Sequence, residues 1–293
     1  MILFNNPKSI YDLYKNEILK KIKKTLDSGI YINSKELKSF ERNFSKYLNM
    51  KHSIGVGNAT DAIYLSLKCL GIKKNDEVLT TSHTAAGTLI AISNTGAKPK
   101  FVDIDLENFN MNLNLLEKKI NNKTKAIIIV HLYGQSADMN KLKKISKKYK
   151  LPIIEDCSQA AGSKHKNKKL GSFGDLSCFS FFPTKNLSAF GDGGLICTNN
   201  GNFAKKIKYL REYGWDNLRN TTYLGINSRL DELQAAILNI KLKYLDKNNF
   251  ERAKIAQRYS ENINNKNILL PKISDGNDHV FHLYVIRIKK RNK

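Results

Sequence analysis

Cysteine is scarce in this chain of 293 residues: there are four, Cys69, Cys157, Cys178 and Cys197, with no CxxC spacing. Each lies in or beside an apolar run, which points to buried thiols and away from a disulfide framework or a zinc site. Long apolar stretches are missing too. No run could span a bilayer, and Met1–Pro7 leads straight into a charged amphipathic segment without a cleavable signal pattern. A cytoplasmic protein with no membrane partner is therefore expected. Acidic residues are outnumbered, 26 against 50 lysines and arginines, for a formal net charge of +24. Such a charge invites comparison with a basic nucleic-acid binder, which would hold duplex in a steeply salt-dependent way. The basic runs Lys20–Lys24, Lys141–Lys150 and Lys164–Lys169 come without a helix-turn-helix, zinc-finger or aromatic RNA-binding pattern. They read as solvated lysine faces whose field draws in an anionic substrate, and no nucleic-acid partner is expected. The run at 164–169, which holds Asn167 and lies between Gly162 and Gly171, has the look of a hairpin. His279 and His282 are three apart on an extended run and fall on opposite faces, so no metal site is expected. Internal repeats and low-complexity linkers are absent.

What is present is a regular alternation. An amphipathic helix carries Ile10, Tyr14, Ile18, Ile22 and Leu26, and breaks at Asp27-Ser28-Gly29. A second follows an Asn33-Ser34 cap and sets Leu37, Phe40, Phe44 and Tyr47 on one face. Strands are predicted at Ser53–Val56, Glu77–Thr80, Lys100–Asp103, Ala126–Val130, Pro152–Asp156, Leu176–Ser180 and Gly194–Thr198, with helices between most of them. That order implies an α/β fold, a mainly parallel seven-stranded sheet covered by helices on both faces. Helices are expected at Gly201–Tyr213 and, as one long element, Ser228–Tyr259, followed by an apolar strand at His279–Ile288.

The chemistry concentrates in Phe173–Gly194, FGDLSCFSFFPTKNLSAFGDGG. Pro183 ends an apolar strand just before Lys185, and Gly191, Gly193 and Gly194 let the backbone turn tightly beyond it. Upstream, Pro152-Ile153-Ile154 leads to Glu155 and Asp156 at a strand's carboxyl end, where open α/β sheets place ligand chemistry. A lysine amine and a strand-end carboxylate together suggest pyridoxal phosphate: the amine condenses with its aldehyde, and the carboxylate keeps its ring nitrogen protonated. Lys185 and Asp156 would fill these roles. The cofactor's phosphate needs donors, and Gly57-Asn58-Ala59-Thr60-Asp61 opens an apolar helix whose N-terminus can supply them, with Ser180 adding a hydroxyl. Asp61 and Thr60 could equally cap that helix.

The stretches GNATDAI (57–63), HLYGQSADM (131–139), IEDCSQAAG (154–162), GSFGDLSCFSFFPTKNL (171–187), GDGG (191–194) and NSRLDELQAAI (227–237) resemble the DegT/DnrJ/StrS family of sugar aminotransferases, in one order across nearly the whole chain. The resemblance implies a fold-type I pyridoxal-phosphate transferase. It implies a large domain over 1–260 with an N-terminal helical arm, and over 261–293 the start of a small C-terminal domain that family members continue. That departure suggests a truncated chain, with impaired turnover and an unpaired apolar edge prone to aggregate. By resemblance, Gln159 binds the cofactor's phenolic oxygen, and Asn227 reaches the phosphate in a neighbouring subunit, implying a homodimer with shared sites; Asn227 could equally cap the long helix. Tyr31 is a candidate substrate contact. Ala85 stands where many relatives carry an aromatic that stacks on the ring; His83 is a candidate for that place, or equally a structural histidine beside a helix start. The implied reaction moves an amino group from an amino acid, glutamate, to a nucleotide-linked keto sugar, in amino-sugar or surface-polysaccharide biosynthesis. Two alternatives stand beside it: a catalytically impaired binding or regulatory protein, and a sugar dehydratase. Dehydratase relatives replace the lysine with histidine, and Lys185 speaks against them.

Overall fold

Aliphatic runs bounded by glycine- and asparagine-rich turns build the centre of the molecule. A computed structural model describes residues 5–274 and 276–288. Two helices come first, α1 (Pro7–Asp27) and α2 (Lys35–Leu48), then β1 (His52–Val56), α3 (Ala59–Cys69), β2 (Glu77–Thr80), α4 (Ala86–Asn94) and β3 (Lys98–Phe101). Next are α5 (Leu113–Leu116), β4 (Thr124–Val130), α6 (Met139–Tyr149), β5 (Ile153–Asp156), the hairpin β6 (Lys164–His165) and β7 (Lys168–Lys169), β8 (Leu176–Ser180) and β9 (Gly194–Thr198). The chain continues through α7 (Gly201–Leu210), α8 (Glu232–Leu242), α9 (Leu245–Asn262), β10 (Ile268–Leu269) and β11 (Arg287–Ile288).

Seven strands form one sheet in the order β1-β9-β8-β5-β4-β2-β3. The pairs from β3 through β8 are parallel, and β9 lies antiparallel to both β8 and β1. This is the expected mainly parallel α/β sheet. Because side chains alternate across a strand, β4 sends Ile127 and Ile129 to one face and Ala126 and Ile128 to the other. The first face packs with Phe40 and Phe44 of α2 and Leu238 of α8; the second with Leu67 of α3 and Ile207 of α7. Burial on both faces explains the unbroken apolar run in β4.

Three expectations are corrected. β3 begins two residues earlier than predicted, because Lys98-Pro99-Lys100 pairs in register with Glu77-Val78-Leu79 at the sheet's edge, where apolar content is a poor guide. The single helix expected at 228–259 is two. α8 is buried on most sides, whereas Tyr244, after its end, stacks on Tyr14 at 4.3 Å and donates to Glu17 Oε1, turning the chain into α9. The apolar run His279–Ile288 is strand only at β11, which pairs with β10. The rest lies as irregular chain against the sheet domain: Val280 N–H donates to the Gly134 carbonyl, and Asn186 Nδ2 donates to the Val280 carbonyl at 2.9 Å. Docking buries Val280, 5% exposed, whereas Ile286 and Ile288 stay 37% and 44% exposed. The last residues of the predicted C-terminal domain, 289–293, and the first four of the chain lie outside the described residues. No helix among the described residues is long and apolar enough to cross a membrane.

Candidate active site

β5 ends in two acids that leave the strand on opposite faces. Glu155, fully buried, accepts from His131 Nε2 at 3.1 Å and from the backbone N–H groups of Gly171, Phe173 and Gly174. Burial pushes its carboxyl up, but His131 and these N–H groups outweigh it and hold it below the usual range. Cys157 lies close to this pair, and burial drives its thiol well up. Both Glu155 oxygens are already occupied, so the cluster is a structural tie that fixes the 171–174 turn feeding β8. Asp156 faces the other way. It is 4% exposed and accepts from Thr88 Oγ1 at 2.9 Å and Ser158 N at 3.1 Å.

Lys185 sits on a turn after β8, closed by its own N–H to the Phe182 carbonyl. It shares with Asp156 a cavity of about 280 Å³. Burial pushes the amine below the ordinary lysine range, with the Asp156 charge opposing the shift in part. A lowered value gives more free amine near neutral pH than a surface lysine offers, which is what a nucleophile or proton carrier needs.

The third wall is the N-terminus of α3. Asn58 caps it, its Oδ1 accepting from Asp61 N at 2.8 Å. The approach is close on two sides. A Cβ at Gly194 would lie 2.4 Å from the Asn58 carbonyl, and one at Gly87 would lie 2.6 Å from Thr60 Oγ1, so only glycine admits this packing. Ser180 pairs directly with Gly194 across β8 and β9, which brings its hydroxyl to the same end of the cavity.

Of the predicted site residues, Ala59, Thr60, Asp156, Gln159, Ser180 and Lys185 line this one cavity. Gln159 Oε1 accepts from Tyr133 N at 2.7 Å, which leaves its NH₂ end to donate. Asp61 is not in the lining: its carboxylate turns back to accept from Ser228 Oγ and Asn58 Nδ2. Asn227 is exposed and pairs with Glu212 in an isolated bridge, away from this cavity within the chain. Tyr31 lies outside the lining as well, 47% exposed. His83 is exposed and held by Tyr133 Oη at 2.9 Å, whereas Ala85 does line the cavity; the aromatic among the described lining residues is Phe182. Sequence reasoning missed Asn58, Thr88, Ser158 and Asp192. Asn58 carried a signal as a cap before an apolar helix; Thr88, on α4, carried none, because only the sheet order brings it to Asp156.

The residues present fit pyridoxal phosphate. A buried carboxylate satisfied by two neutral donors can take a third from a ring N–H, a desolvated amine can meet an aldehyde, and a helix N-terminus with serine and threonine hydroxyls can receive a phosphate. This is the architecture of a pyridoxal-phosphate-dependent aminotransferase. Residues 12–293 match the DegT/DnrJ/EryC1/StrS aminotransferase family, and the chain belongs to it, with pyridoxal phosphate as its cofactor. A dTDP-3-amino-3,6-dideoxy-alpha-D-galactopyranose transaminase of Aneurinibacillus thermoaerophilus is 46% identical over 291 residues, covering 99% of this chain and 80% of that protein. The structure is similar to that of DesV from S. venezuelae, with a TM-score of 0.97 at 38% identity over 99% of this chain and 79% of the other. It also resembles NtdA of Bacillus subtilis with bound cofactor PMP, with a TM-score of 0.88 at 34% identity over 94% of this chain and 64% of the other.

Proposed function

We propose that this chain transfers an amino group from an amino acid, glutamate, to a nucleotide-linked keto sugar, working as a cytoplasmic homodimer. The reading rests on one observation above the rest, the placement of Lys185 and Asp156 on one cavity at the carboxyl ends of the strands. Similarity to sugar transaminases supports the acceptor class. Four free, buried cysteines suit a reducing compartment. The dimer reading is supported by the exposed segment before α8, where Leu218 and Leu224 are each 81% exposed beside the outward-facing Asn227.

In this reading Asp156 Oδ holds a proton on the cofactor's ring nitrogen, and Thr88 and Ser158 keep that carboxylate oriented. Gln159 donates its amide N–H to the phenolic oxygen. The bound cofactor supplies an electron sink for the carbon being deprotonated. Lys185 Nζ, as a free amine, would take the proton from the donor's α-carbon in the first half-reaction and deliver one to the sugar carbon in the second. The positive net charge raises the encounter rate with a pyrophosphate-bearing acceptor. Borohydride treatment of the holoenzyme tests the central claim. The expected result is pyridoxyl label on Lys185, read by peptide mass; label on a different lysine refutes the assignment.

A further inference from the structure

Ser228 lies 167 residues beyond Asp61 and outside the cavity lining, yet it is tied to the end of α3 that forms one cavity wall. It is 2% exposed. Its hydroxyl accepts from Gly57 N at 2.9 Å and donates to Asp61 Oδ2 at 2.7 Å. The one proton and one of the two lone pairs are therefore committed, and because a backbone N–H can only donate, the direction of each bond is set. Asp61 Oδ2 also accepts from Asn58 Nδ2 at 3.0 Å. That contact orients the Asn58 amide so that its Oδ1 caps Asp61 N, and the N–H groups of Ala59 and Thr60 at the cavity have no acceptor among the described residues. A free carboxylate one turn into this helix would compete with a phosphate for those donors; turned back and doubly bonded, it holds them in place instead.

We infer that Ser228 is a positioning residue for cofactor phosphate: acting through Gly57, Asp61 and Asn58, it holds the α3 N-terminus in the geometry that receives the anion. The inference rests on the reading that the phosphate sits at this helix end. The arrangement leaves little slack, since a Cβ at Gly57 would stand 3.3 Å from Ser228 Oγ.

The test compares two ligands that differ only in the phosphate. Full-chain apoenzyme is titrated with pyridoxal phosphate and with pyridoxal, following imine absorbance. Ser228→Ala is expected to weaken pyridoxal phosphate about tenfold and leave pyridoxal unchanged, and Ser228→Thr, which keeps the hydroxyl, to restore the wild-type ratio. Gly57→Ala, which presses on the same hydroxyl without deleting it, is expected to lower the ratio in the same direction. It also serves if the alanine at 228 does not fold. Equal losses for both ligands, or no loss for either, overturn the role of Ser228. A wild-type protein that binds the two ligands equally overturns the helix-end phosphate site itself, and the inference with it.

Discussion

Two regions meet near Lys185 and are held by different physics. On one side, β5 and β8 carry Asp156 and Ser180 on ladders that pair nearly every backbone group, and α3 is capped by Asn58. On the other, the described residues between Ile263 and Ile288 have only four in a strand pair. This segment docks through scattered single bonds: the backbone N–H groups of Val280 and Asp278 to the carbonyls of Gly134 and Lys164, and side chains from Asn186 to the Val280 carbonyl, Gln135 Nε2 to the Lys272 carbonyl, and Arg252 to the Phe281 carbonyl. A ladder distributes its restraint over many bonds, so one side chain can be lost without moving the strand. A segment docked through isolated bonds moves when a group packed beneath it changes its charge or its partner.

Breaking the first region takes its deepest polar tie. Glu155→Ala leaves His131 and three backbone N–H groups without their acceptor, and a loss of about 3–5 kcal/mol in unfolding free energy is expected by denaturant titration. A loss below about 1 kcal/mol would show that the 171–174 turn does not depend on it. Asp156→Asn, one residue along and on the other face, should behave differently. Ser158 N–H keeps the one amide oxygen, and Thr88 Oγ1 can turn its proton to Thr84 Oγ1 at 3.0 Å and accept from the amide NH₂, so stability should hold. The half-reaction with glutamate should slow by about 100-fold, the equivalent of about 2–3 kcal/mol, because the charge facing the ring nitrogen is gone. Unchanged single-turnover rates would remove Asp156 from the mechanism.

The second region should yield to acid first. Burial pushes His279 down to about 4, and burial, followed by the charges of Lys185 and Arg252, pushes His282 down to about 3. Both values lie below the ordinary 6.5, so the neutral rings contribute stability that is whole above pH 6.5 and is lost as pH falls toward 4 and 3. At pH 5 the cost for His279, 8% exposed, is about 2 kcal/mol. Amide exchange, corrected for intrinsic rate, should show Val280, which bonds to Gly134, losing protection between pH 7 and pH 5 while β5 and β8 keep theirs. Equal protection changes in both regions would erase the distinction.

Much of the cofactor side was legible because its signals are local. Strand ends at Asp156 and Ser180, the start of α3 after Gly57 and the glycines beyond Lys185 each follow from residues adjacent in the chain, although the cap of α3 is Asn58 and not Thr60 or Asp61. The hairpin at 164–169 was equally readable: Lys166 and Asn167 both take positive φ, 46° and 67°, as a two-residue turn demands. The C-terminal run misled because His279-Val280-Phe281 has strand composition, and composition reports burial without naming what does the burying.

From the amino-acid pattern alone came the alternating α/β order, the sheet's two buried faces, and a lysine and an acid at strand ends, since periodicity and turn chemistry act over a few residues. Tertiary structure decided which distant groups complete them. Ser34 makes no side-chain cap for α2; Glu232, at the start of α8, instead accepts from the N–H groups of Ser34, Glu36 and Leu37. Ser228 reaches Gly57 and Asp61 in the same way, and Thr88 reaches Asp156. A buried donor or acceptor must find a partner somewhere, but no local pattern says where. Only the order of strands in the sheet does.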